Sequence, residues 1–170
     1  MKTIFRYLAI AAFIAVVGGV GLLFTPLGER PLTFLLPVGD VETVNFAELK
    51  LTGAPNQFLM CPPGFCGAKP SADSPVFDVP VARLLARWRE VVAAQPRVER
   101  LAVDEDGRQI DYIQRSARFR FPDIVTVRFI AVSPSQSALA IYSRSIYGES
   151  DFGVNRKRID AWLTFLREGL

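Results

Sequence analysis

The feature that most constrains this chain is an uncharged apolar run, YLAIAAFIAVVGGVGLLF, from Tyr7 to Phe24. Its eighteen residues, at ~1.5 Å each, make a helix of about 27 Å, close to the ~30 Å hydrocarbon core of a bilayer. A cleaved signal peptide is the competing reading, with Gly19-Val20-Gly21 as the small-residue site. Leu22, Leu23 and Phe24 continue the apolar run past that site, which favours an uncleaved transmembrane anchor. Lys2 and Arg6 precede the run, and of the next residues only Arg30 is basic. The positive-inside rule then keeps residues 1–6 as a cytoplasmic tail and sends the rest across the membrane. Ala11, Ala15 and Gly19 share one helical face at a spacing that lets two anchors pack, so a homo-oligomer is a candidate assembly.

With residues 7–24 assigned to the membrane and the proline-bearing residues 25–43 to a linker, residues 44–170 are enough for one domain of ordinary size. Val44, Phe46, Leu49 and Leu51 form a patchy apolar pattern, an edge strand or a strap. The following stretch, APNQFLMCPPGFCGAKPSADSP, is rich in turn formers and reads as irregular. Asp78 and Pro80 are suited to open a helix in which Val81, Leu84, Leu85, Trp88, Val91 and Val92 line one face. Four strands are expected next: residues 97–104, 108–121, 124–133 and 137–146. The phase of the second changes between Tyr112 and Ala117, so a bulge is expected near residues 113–116. A final helix over residues 154–167 carries Ile159, Trp162, Leu163 and Leu166 on one stripe. The expected fold is α+β: an antiparallel four-stranded meander with two helices on one face, preceded by the transmembrane helix.

Composition removes several functions. The chain has no histidine, hence no serine–histidine catalysis and none of the commonest zinc ligand. No metal or cofactor is expected, and no catalytic residues can be assigned. A net charge of +3 without a nucleic-acid-binding motif argues against nucleic acid and leaves acidic envelope partners. The two cysteines, Cys61 and Cys66, would meet an oxidising compartment beyond the membrane, where a structural disulfide is the leading expectation. A redox pair or free thiols are the alternatives.

Two groups of residues are candidates for a site. If Phe121 faces Val125 across a turn, Arg118 lies opposite Arg128, with Thr126 opposite Arg144 in the next pair of strands. These arginines then share the sheet face away from the helices, where like charges call for either carboxylates such as Asp111, Glu149 or Asp151, or an anionic ligand. The second group is the polar stretch from Ser143 to Arg158, where Asp151 can cap the last helix and Arg144 and Arg158 are expected to converge near it.

The segment SRSIYGESDFGVNRKRI, with PNQFLMCPPGFC upstream, resembles a bacterial family known as domain of unknown function 1499. The likeness spans residues 45 to 170 and is most specific around Tyr147, Asp151, Gly153, Asn155 and Arg158. The resemblance implies a membrane-anchored or exported protein; with the charge pattern, that means a single-pass inner-membrane protein whose domain lies in the periplasm. It implies no activity, substrate or cofactor. The reading favoured by the residues is a domain binding an anionic lipid, a glycan or an envelope protein through Arg118, Arg128, Arg144, Tyr147, Asp151, Asn155 and Arg158. A structural or assembly role, and an enzyme acting on an anionic substrate, are the alternatives.

Overall fold

The computed structural model describes residues 2–23 and 35–170. Helix α1 spans Lys2–Leu23, and residues 7–21 of it are exposed. Among the described residues no helix is long and apolar enough to cross a membrane. The side chains that would complete the expected span of residues 7–24, and most of the expected linker 25–43, lie outside the described residues.

The rest is built on one mixed sheet of seven strands: β1 (Gln57–Cys61), β2 (Ala72–Asp73), β3 (Val76–Phe77), β4 (Val98–Val103), β5 (Gln109–Arg115), β6 (Pro122–Ser133) and β7 (Gln136–Ser145). Helix α2 (Val81–Ala93) precedes β4, and α3 (Val154–Arg167) follows β7. The spatial order is β2-β1-β7-β6-β5-β4, with β3 also pairing with β7. Strands β4 to β7 form the antiparallel run that the alternation predicts. The four-stranded sheet itself is corrected, because β1 adds antiparallel to β7 and β2 adds parallel to β1.

Strand β1 is hidden in a stretch that reads as irregular. Its residues Phe58, Leu59, Met60 and Cys61 are all buried, because both faces of this strand are covered. A strand covered on both sides loses the alternation that marks one in sequence.

One face carries the helices. Leu84, Trp88, Val91 and Val92 of α2, and Ile159, Trp162, Leu163 and Leu166 of α3, pack on Ile110, Tyr112, Val125, Val127, Phe129, Leu139 and Ile141. The two indoles meet edge to face with centroids 5.7 Å apart, and Trp88 meets Phe129 at 6.1 Å, the geometry aromatic pairs prefer. Helix α2 starts after Pro80 without a side-chain cap. Asp78 instead accepts a hydrogen bond from Gln136 Nε2 at 2.8 Å.

The other face is covered by residues 44–51, which form a strap. Phe46 is buried beneath it against Leu59, Cys61, Ala140 and Tyr142, with Val44, Leu49 and Leu51 alongside. Gln109 Nε2 holds the Val44 carbonyl at 2.9 Å, and the Gly67 N–H holds the Phe46 carbonyl at 2.9 Å. Gly67 lies so close to the strap that a Cβ there would overlap the Ala47 carbonyl. Cys61 and Cys66 form a disulfide and pack in the same cluster, so the cystine loop is part of the cover.

Candidate functional site

The β5–β6 register decides what the sheet presents. Gln109 pairs with Arg128 and Arg115 with Pro122, without a bulge. Strand β5 therefore stops at Arg115, and residues 117–119 form a turn. The phase change in the sequence marks the end of the strand, not a bulge. Arg118 is in that turn, so the expected pairing of Arg118 with Arg128 is corrected. The β6–β7 register pairs Thr126 with Tyr142 and Ile124 with Arg144, two residues away from the expected alignment. A slip of two preserves the face, because side chains alternate with a period of two. Thr126, Arg128, Tyr142 and Arg144 thus share the strapped face, joined by Asp111, which pairs with Thr126.

The two arginines on this face have different surroundings. Arg128 is held by the β4–β5 turn: it pairs with Asp104, and its Nη1 and Nη2 reach Asp106 at 3.0 and 2.7 Å. Arg128 and the Arg108 backbone N–H together lower the Asp106 carboxyl to about 2. This cation is neutralised within the fold, by carboxylates other than Asp111, Glu149 or Asp151.

Arg144 is half-buried, and no carboxylate lies within ion-pair distance of it among the described residues. Its guanidinium stacks over the Tyr142 ring at 4.9 Å and donates from Nη1 to Thr126 Oγ1 at 3.3 Å. The Thr126 hydroxyl donates to Asp111 Oδ1 at 2.5 Å, and the Tyr142 hydroxyl donates to Gln57 Oε1 at 2.6 Å. Burial pulls Arg144 below its ordinary pKa, with Tyr142 and Asp111 partly restoring it. Burial likewise pushes the Asp111 carboxyl up, against the Thr126 hydrogen bond and the Arg144 charge. Desolvation disfavours the charged form of each group. The guanidinium opens into a cleft of about 320 Å³ beneath the strap, lined also by Glu42, Asn45, Glu48, Lys50 and Tyr142.

The Ser143–Arg158 stretch divides between two faces. Asp151 caps α3 as expected: its Oδ1 accepts from the Gly153 N–H at 2.9 Å and its Oδ2 from the Asn155 N–H at 2.8 Å. Gly153 supplies the left-handed backbone (φ 76°) at the N-cap, a conformation glycine adopts without steric cost. Arg158 does not turn to Asp151. It pairs with Asp123 of β6 and donates to Gln114 Oε1 at 2.5 Å, to Ser143 Oγ at 2.9 Å and to Asn155 Oδ1 at 2.6 Å. Asn155 in turn donates to the Asn56 carbonyl at 3.0 Å. This is a buried lock between α3 and the sheet. Arg144, one residue along from Ser143, points to the opposite face, so the expected convergence of Arg144 with Arg158 is corrected. Tyr147 lies past the end of β7, its ring 6.4 Å from that of Phe121, and does not line the Arg144 cleft.

Of the predicted site residues, the strapped face unites Arg128 and Arg144. The α3 junction unites Asp151, Asn155 and Arg158. Thr126 and Tyr142 support Arg144 but carry no signal beyond strand alternation, Gln57 lies in a strand with no such signal, and Asp123 reads as a turn residue until its register is known.

Fold and site define an α+β domain with helices on one sheet face and a cystine-held strap over the other. Among the described residues there is no cluster able to hold a metal ion. The chain belongs to the DUF1499 family, proteins of unknown function, whose model matches residues 53–166. A solved structure of an uncharacterised protein from Rhizobium leguminosarum is similar at 19% identity, over 55% of this chain and 90% of that one, with a TM-score of 0.34. No curated protein matches it.

Proposed function

We propose that this protein is a membrane-tethered domain that binds a ligand bearing a carboxylate or phosphate, with Arg144 as the receiving cation. The observation that carries the reading is a half-buried guanidinium, facing a cleft, without a carboxylate partner among the described residues. A partly desolvated arginine recovers the most when an anion completes it, and its planar fork matches both head groups. Tyr142 and Thr126 hold the fork in place before a ligand arrives, which lowers the ordering cost of binding. Glu42 and Glu48 line the same cleft and offset Lys50 and Arg144 there, so a single anionic group suits it better than a polyanion.

The tether rests on the uncharged run of residues 7–24 and the Lys2/Arg6 flank, with the domain on the periplasmic side and Ala11, Ala15 and Gly19 available for self-association. The ligand then comes from the envelope, as an acidic lipid head group, an acidic glycan or an acidic segment of a protein. Protease added to intact spheroplasts is expected to remove the domain; its full protection would place the domain in the cytoplasm.

The test of the site is titration of the full chain with phosphate, read by thermal melting. Wild type is expected to melt higher as the anion rises, following mass action, while Arg144→Ala melts near the ligand-free wild type and no longer responds. A purely structural Arg144 would give the opposite: a lower melting temperature with the anion response intact.

A further inference from the structure

A second cleft, of about 320 Å³, lies on the helix-bearing face. There Arg89, Val92 and Ala93 of α2 meet Val98, Arg100 and Tyr112 of β4 and β5. Strand β4 ends the sheet, so the cleft opens at an edge. Arg100 and Tyr112 are cross-strand partners, which places the guanidinium beside the phenol. Neither the Arg89 nor the Arg100 side chain has a hydrogen bond or ion pair with a protein group among the described residues.

Tyr112 is 4% exposed and lines this cleft. The buried indole N–H of Trp88 approaches it yet remains without an acceptor. Burial pushes the Tyr112 hydroxyl up, whereas the charges of Arg89 and Arg100 pull it down, so both cations are felt at one oxygen. Two arginines flank one cleft that no carboxylate lines, an arrangement that suits an anion. Val92, Ala93 and Val98 supply an apolar wall beside that charge, which rewards a ligand with a hydrocarbon part.

We infer that this cleft is a separate binding site for an amphiphilic monoanion, a carboxylate head held by Arg89 and Arg100 with a short aliphatic tail against Val92, Ala93 and Val98. Tyr112 donates its hydroxyl proton to the head group. The site shares no residue with the Arg144 cleft and does not depend on that reading.

The test follows backbone amide shifts of Arg89, Arg100 and Tyr112 in the full chain, held in nanodiscs of zwitterionic lipid. Hexanoate, acetate and hexylammonium are titrated in turn. Hexanoate is expected to shift these amides saturably and to bind about tenfold tighter than acetate, the worth of roughly two buried methylenes. Hexylammonium is expected to leave them unmoved. The double variant Arg89→Gln, Arg100→Gln should lose the hexanoate response, since both positions are exposed and tolerate the change, while Arg144→Ala should keep it. Equal affinity for acetate and hexanoate, a response to hexylammonium, or a response that survives the double variant would overturn the inference.

Discussion

Arg158 and Arg144 show how burial divides one residue type between two uses. The Arg158 side chain is 6% exposed and its partner Asp123 10% exposed. Removing one member of such a pair leaves an uncompensated buried charge. Arg158→Ala is therefore expected to cost on the order of 3–5 kcal/mol in urea denaturation, and a loss below ~1 kcal/mol would exclude the lock. Asp111 offers a second prediction, through pH. Its carboxyl is raised by burial, so over the affected range the folded state binds more protons than the unfolded one. Stability from this group is then greatest below the unfolded pKa and is lost as pH rises through the folded one. Asp111→Asn is expected to flatten that decline in melts run from pH 4 upward, and an unchanged slope would contradict it. The sequence offers Asp151 as a cap for α3, because capping is local, and the structure bears this out. The sequence does not show that Arg158 meets Asp123, because that contact depends on the β5–β6 register.

The helices are the most legible elements, since their apolar stripes repeat at three- and four-residue spacing across thirteen and fourteen residues. Trp88 and Trp162 are 0% and 2% exposed, at the centre of the helix-bearing core. Replacing either with alanine is expected to cost on the order of 3–5 kcal/mol, measured by chemical denaturation; near-neutral effects at both would refute the packing of α2 and α3 on one face. Strands β4, β6 and β7 are legible from alternation and turn residues. Strand β5 is legible only to Arg115, because the apolar Phe119 and Phe121 that seem to extend it are exposed, at 56% and 43%. Strands β1 to β3 are not legible. Two of them have only two residues each, and β1 is buried on both faces.

At the scale of the whole molecule, the sheet separates support from display. One face is closed by α2 and α3 and locked at its end by Arg158. The other is closed only in part, by the strap and the cystine loop, and leaves Arg144 facing a cleft. The sequence identifies that face and Arg144 upon it. It overcounts the arginines there, because Arg118 belongs to a turn and Arg128 is neutralised by Asp104 and Asp106. On the proposed reading, Arg144 is the anion-receiving cation of this face. The most direct measurement is an anomalous difference map from crystals of the protein grown with selenate, an oxyanion whose selenium can be located unambiguously. A peak is expected within hydrogen-bond reach of the Arg144 guanidinium, absent from crystals of Arg144→Ala. Selenate bound at Arg128, or peaks confined to other surfaces with the Arg144 cleft empty, would contradict it.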